Sequence, residues 1–189
     1  MKKILMTLVV AAMAVSANAQ LYVGGGVGYG SEKLDVDGAE SVASWKIIPE
    51  VGYNFTDDMA VGIAFGWEGS NKGGQKSFEI NPYFRYTFFN QGMVSLFADA
   101  TVGYKHYYSN PTAKINGVST HVEEYNVFDA GLKPGVAFNV TEKFSVVAHV
   151  GFLGWQQDKW KLNGATTKKN AYGFDLDGNN LTLSLYYKF

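Results

Sequence analysis

The chain has 189 residues, 47% apolar and 15% aromatic, with 16 Lys and Arg against 17 Asp and Glu and a formal net charge of −1 at pH 7. That balance gives no basic face for nucleic acid, and the lack of any cysteine excludes a disulfide-stapled fold and an N-terminally acylated Cys. Mean hydropathy is slightly negative and no apolar run after the first 20 residues is long enough for a membrane helix, so the chain can enter a membrane only as a closed barrel.

Residues 1–20, MKKILMTLVVAAMAVSANAQ, join a basic start (Lys2, Lys3) to an apolar run from Ile4 to Val15 and an Ala-Asn-Ala tripeptide at 17–19. This is the anatomy of a secretory signal peptide cleaved after Ala19. The apolar run falls short of the roughly 20 residues a spanning helix needs. Residues 20–189 then form one mature domain.

From residue 21 the pattern has a period of two. In LYVGGGVGYG, 21–30, Gly24, Gly26, Gly28 and Gly30 alternate with Val23, Val27 and Tyr29, and Gly25 alone is out of phase. No helical pattern follows, so the stretch reads as a strand and not as a phosphate loop. Seven further alternating runs lie at 43–55, 59–68, 78–88, 94–105, 127–138, 144–153 and 180–189. In the second of these, Met59, Val61, Ile63, Phe65 and Trp67 oppose Ala60, Gly62, Ala64, Gly66 and Glu68. Each run is close to the roughly 9–11 residues of a tilted membrane strand.

The joins alternate as well. Short ones fall at 56–58, 89–92 and 139–143, and long polar ones at 31–42, 69–77, 106–124 and 154–177. The expectation is an all-β, eight-stranded antiparallel up-and-down transmembrane β-barrel, its short turns periplasmic and its long loops extracellular. A repeat supports the count: PEVGYNF, PYFRYTF and PGVAFNV start at Pro49, Pro82 and Pro134, each with an aromatic four residues on and a short turn after it. Each proline removes a ladder donor, so bulges or distorted pairing are expected there.

The signal peptide, the alternating strands, the Pro-x-x-x-aromatic hairpins and the final LTLSLYYKF together resemble a small bacterial outer-membrane β-barrel protein. The similarity is to the OmpX and OmpA-barrel type and to the "porin family" barrel domains of Bacteroides-like bacteria. It implies residence in the cell outer membrane of a Gram-negative bacterium, among outer-membrane lipid and lipopolysaccharide. It also implies that Phe189, with Tyr187 and Leu185 at alternate positions before it, serves as the assembly signal read by the barrel-assembly machinery. Unlike full-length OmpA-type proteins, the chain is expected to carry no peptidoglycan-binding domain after the barrel.

A soluble eight-stranded barrel of the lipocalin kind would carry its apolar face inward. Here one face holds Lys46, Glu50, Glu68, Glu79, Arg85, Asp99, Lys105, Asp129, Lys133 and His149 among small residues, and the other is nearly free of charge. An eight-stranded lumen is only just wide enough for its own side chains. Gly and Ala suit that space and rows of Phe and Trp do not, so the charged face is assigned to the lumen. Gly24, Gly26, Gly28 and Gly30 are expected to make space for Tyr83, Arg85 and Lys133. Mixed signs imply a salt-bridged, closed polar interior, since unpaired buried charge is costly. The alternative function is a narrow channel for ions or small polar solutes.

No catalytic constellation emerges. The histidines are His106, His121 and His149; His106 with Ser109 lacks a local acid, and although Asp129 with Glu123 and Glu124 could mimic an acid pair, the two glutamates read as a solvated rim. GSNKGGQKS at 69–77 lacks the Gly-Lys step and the helix of a phosphate loop. The chain is therefore expected to be no enzyme and to carry no cofactor or metal. Its individuality lies in loops 106–124 and 154–177, the latter with Trp155, Trp160, Lys159, Lys161, Lys168 and Lys169. Such loops suit lipopolysaccharide phosphates or a host or surface ligand.

Overall fold

The computed structural model describes residues 21–32, 42–71, 76–108, 112–115, 118–162, 164–175 and 182–189. The signal-peptide segment, and Asn180 and Leu181 of the last expected strand, lie outside the described residues.

Period-two alternation becomes a continuous antiparallel wall. Its strands are β1 (Leu21–Glu32), β2 (Val42–Asn54), β3 (Met59–Ser70), β4 (Ser77–Gln91), β5 (Val94–Tyr107), β7 (Val118–Asn139), β8 (Phe144–His149) and β11 (Thr182–Lys188). Neighbours pair in that order, β8 pairs with β11, and β11 pairs with β1, from Tyr22↔Lys188 to Gly26↔Ser184. The eight-stranded barrel is thus closed, which satisfies backbone groups that an open edge would leave bare in lipid. One rim carries the short turns. At 56–58 Thr56 Oγ1 accepts from Met59 N (3.0 Å), and at 140–143 Thr141 Oγ1 accepts from Phe144 N (3.0 Å). At the third turn Gly92 takes φ 59°, a left-handed value that favours glycine.

The other rim departs from the expected loops. β6 (Thr112–Ile115) folds back on the start of β7, and β9 (Phe152–Leu162) pairs with β7 above β8 and then with β10 (Ala165–Asp175). Much of 106–124 and 154–177 is therefore sheet. The expected strand 144–153 divides at Val150 and Gly151, where Gly151 takes φ 76°. The extension was hidden because Gln157, Lys159 and Lys161 occupy the same face as Leu153 and Trp155. A ladder past the apolar zone has no need of one greasy face.

The prolines do not shift the register. β3–β4 pairing runs through Ile63↔Pro82 and β5–β7 pairing through Ala98↔Pro134, while β2–β3 omits pairs at 48–49 and β4–β5 omits them at 81–82. The irregular steps fall instead at Thr87/Phe89 and Val122/Glu124. Pro49 and Pro82 point outward, so each missing donor coincides with a local gap in one ladder.

Alternation separates the faces as expected: Val61 is 45% exposed beside Ala60 at 2%, and Val102 is 62% exposed. One expectation about filling fails. Tyr83 is in the lumen as expected, but the lumen also holds Tyr22, Phe97 and Tyr186, buried there with Ala60 and Val147. Each ring lies over the glycine directly opposite it in the ladder. Tyr22 is paired with Gly52, Tyr83 with Gly62, Phe97 with Gly135 and Tyr186 with Gly24, and a Cβ at any of these glycines would overlap the ring. Gly24 thus makes room for Tyr186, not for Arg85, Tyr83 or Lys133. The missing side chain on one strand is the space for the ring on the next.

Candidate functional site: the charged lumen

Three polar layers cross the lumen. Nearest the short-turn rim, Ser95 donates to Asn90 Oδ1 (3.0 Å), Asn139 Nδ2 donates to Ser95 Oγ (3.0 Å), and Ser145 donates to Asn139 Oδ1 (2.8 Å).

The middle layer is built on Arg85. Its Nε and Nη2 donate to Asp99 Oδ1 and Oδ2 at 2.7 and 2.8 Å, a two-pronged pair between neighbouring strands. Nη2 also donates to Tyr186 Oη (3.2 Å) and lies 3.8 Å from Glu50 Oε1. The guanidinium carbon sits 4.0 Å from the centre of the Phe97 ring. Glu50 in turn accepts from the Tyr186 and Tyr83 hydroxyls, and Tyr22 Oη is 2.6 Å from Tyr83 Oη. His149 Nε2 lies 2.8 Å from Asp99 Oδ2, which places a hydrogen on Nε2. Five strands (β1, β2, β4, β5 and β11) and β8 are tied at one level, with Arg85 8% and Asp99 3% exposed.

The layer toward the long-connection rim alternates lysine and glutamate. Lys46 and Lys105 hold Glu68 at 2.8 and 2.5 Å, and both approach Glu79 at 3.9 and 3.8 Å. Asn81 Nδ2 donates to Glu79, Thr101 donates to Asn81 Oδ1 (3.1 Å), and Ser77 donates to Glu68 (3.3 Å).

Between these two layers is a cavity of about 470 Å³ that reaches Tyr107, Tyr125 and Gln156 toward the long-connection rim. Eight of the ten charged residues singled out in the sequence thus fall into two ion-paired layers: Glu50, Arg85, Asp99 and His149 in one, Lys46, Glu68, Glu79 and Lys105 in the other. Asp129 and Lys133 line the cavity and join neither. The sequence reading placed Tyr83 in the lumen without giving its hydroxyl a role, and it left Tyr22, Tyr186, Phe97, Asn81 and Thr101 out of the polar network. An aromatic at lumen parity was visible for each ring, but its glycine partner is identifiable only once register is known.

Outside the lumen, His106 Nδ1 meets Asn126 Oδ1 at 2.6 Å, and Tyr104 Oη donates to the same oxygen (2.9 Å). Asn126 Nδ2 donates to Glu124 (2.6 Å). Ser109 lies outside the described residues, and the side chains of His121 and Glu123 are not among those described. Among the described residues no cluster of three or more His, Cys, Asp or Glu is placed to hold a metal. Leu185, Tyr187 and Phe189 all face outward, with Phe189 edge-on to Tyr187 at 5.2 Å.

Comparison with known proteins places this geometry. Residues 4–189 match the family model described as the outer membrane protein beta-barrel domain. The crystal structure of Neisserial surface protein A (NspA) is similar at a TM-score of 0.51 and 16% identity, covering 89% of this chain and 97% of that one. At that identity the likeness is one of fold. Among curated protein sequences nothing matches this chain.

Proposed function

From a chain that belongs to the outer membrane protein beta-barrel domain family, we propose an integral outer-membrane protein whose lumen is closed and whose role is structural or surface-interactive. The observation that carries the closure is Arg85. Its guanidinium carbon lies 4.0 Å from the centre of the Phe97 ring and the group contacts Glu50, Asp99 and Tyr186, so this level of the lumen is filled by groups that satisfy one another. Open aqueous channels belong to barrels of about 16–18 strands.

Surface interaction would run through the long-connection rim, taken as extracellular because short turns are periplasmic in such barrels. There the β9–β10 hairpin sets Trp155 opposite Tyr172 and Lys159 opposite Lys168, an aromatic row followed by a cationic one. That order suits headgroups and the phosphates of lipopolysaccharide beyond them. No catalytic role is proposed.

Planar-bilayer recording of the refolded chain is the test, together with outer-membrane fractionation. Closure predicts a silent bilayer. Stable, sizeable openings would replace it with the narrow-channel reading, and recovery of detergent-free soluble protein would remove the membrane assignment.

A further inference from the structure

Two of the ten charges assigned to the lumen from the sequence, Asp129 and Lys133, have no ion-pair partner among the described residues. Asp129 Oδ1 is fully buried with no hydrogen-bond partner, and the Lys133 ammonium stands over the Phe152 ring, 5.9 Å from its centre. Both residues are on the inward face of β7 and both line the cavity. They lie four residues apart on one strand, so their Cα atoms are about 13 Å apart at ~3.3 Å per residue.

What separates them is specific. The Phe152 ring reaches over the Gly131–Gly154 pair, where a Cβ at either glycine would come within 2.8 Å of its edge atoms. Gly131 is the inward-facing position between Asp129 and Lys133. One wall of the cavity therefore presents, in order, a carboxylate, an aromatic face and an ammonium. The other eight of those ten are engaged: Glu68 and Glu79 by Lys46 and Lys105, Glu50 and Asp99 by Arg85, and Asp99 also by His149. A buried carboxylate without a donor is costly unless something supplies one.

We infer that the cavity is a binding site for a short zwitterionic peptide of dipeptide size, its ammonium on Asp129, its carboxylate on Lys133 and an apolar side chain on Phe152. A dipeptide separates its end charges by several ångströms and carries an apolar body between them, as this wall requires. A free inorganic cation or anion would satisfy only one end. A cavity of about 470 Å³ is of the size that holds small molecules, typically ~300–1,000 Å³. Access is from the long-connection rim, where Gln156 is exposed, so the site works whether or not the lumen conducts.

The test uses the full barrel refolded in detergent micelles, with calorimetry and NMR shifts against three probes. These are alanyl-phenylalanine, its N-acetyl form, which lacks the ammonium, and its C-terminal amide, which lacks the carboxylate. The expected result is saturable binding of the zwitterion and at least a tenfold loss for either blocked form. Asp129→Asn should weaken the zwitterion and the amide and leave the N-acetyl form unchanged. Lys133→Met should weaken the zwitterion and the N-acetyl form and leave the amide unchanged. Equal affinity for all three probes, or no saturable binding at millimolar peptide, overturns the inference. Because the probe series on the unaltered chain decides it alone, a variant that fails to refold does not block the test.

Discussion

Arg85 and Asp99 face each other across neighbouring strands in two parallel hydrogen bonds of 2.7 and 2.8 Å, at the most buried level of the lumen. Asp99 is 3% exposed, and among the described residues Arg85 and His149 are the basic groups paired with it. Arg85→Met would therefore strand Asp99 and Glu50 together in a poorly hydrated space. Breaking such a pair from one side costs about 3–5 kcal/mol. The expected outcome is a lower urea midpoint of the refolded barrel, followed by tryptophan fluorescence. Adding Asp99→Asn to Arg85→Met should recover part of the loss, because one of the two uncompensated charges is gone. An unchanged midpoint in the single variant would show that water reaches this layer freely.

The ring-over-glycine rule gives a second, paired prediction. At Gly62 an added Cβ would meet the Tyr83 ring, whose hydroxyl is held by Glu50, so the ring has no low-cost retreat. At Gly28 the nearest atom is Lys46 Cβ at 3.5 Å, an ordinary contact. Gly62→Ala should lower stability by about 1–3 kcal/mol, the usual range for overpacking. Gly28→Ala should be neutral or slightly stabilising, since the glycine there is weak strand material and not a space-maker. Chemical denaturation of both variants checks this, and equal effects would contradict it.

The outward face can be tested in the same currency. Val102 is 62% exposed on β5, flanked in the ladder by Ala130, and its nearest surroundings carry no charge to receive a cation. Val102→Lys should destabilise the barrel in lipid bilayers by about 2–4 kcal/mol, the range for a cation at mid-bilayer depth on a barrel's lipid face. A neutral result in vesicles would mean this face meets water.

How much of this was legible beforehand differs by level. The wall was readable because lipid demands an apolar side chain at every second residue, so Val61, Val102 and their kind announce strand and face together. The charges of the lumen were readable for the complementary reason: Arg85 and Glu50 sit out of phase with that apolar row. The rings were not, because Tyr83 needs Gly62 and Tyr186 needs Gly24, and those pairs are set by register across different strands. Pro49 and Pro82 were legible in part. A lost donor signals distorted pairing in a ladder, and at each of them two residues go unpaired on one side; no bulge forms there and the register resumes. The long connections hid their sheet for a different reason: once the chain leaves the apolar zone, Gln157 and Lys159 can stand where Leu153 and Trp155 stood, and the period of two disappears from hydropathy while the backbone keeps it.

That last contrast leads to a prediction about which part of the sheet holds the barrel together. Closure runs through β8 and β11: Phe144–His149 pairs with β7 on one side and with Thr182–Tyr187 on the other, and β11 completes the circuit to β1. Among the described residues the β9–β10 hairpin pairs with β7 alone, and Tyr172 and Phe174 on its far strand are 79% and 72% exposed. It therefore adds ladder bonds without adding a link in the ring. Replacing residues 157–170, the outer part of the hairpin from Gln157 to its partner Asn170, by a two-residue Asn-Gly turn should leave a barrel that still migrates faster unheated than heated on a gel. Loop shortening of this kind has a small entropic effect, of order 1 kcal/mol. Deleting Ser145–Val147 instead should abolish folding, because it removes rungs on both sides of the closing strand. If the hairpin deletion also abolishes the fast-migrating form, the ring is held from its far rim and the assignment of β8 and β11 as the closing pair is wrong.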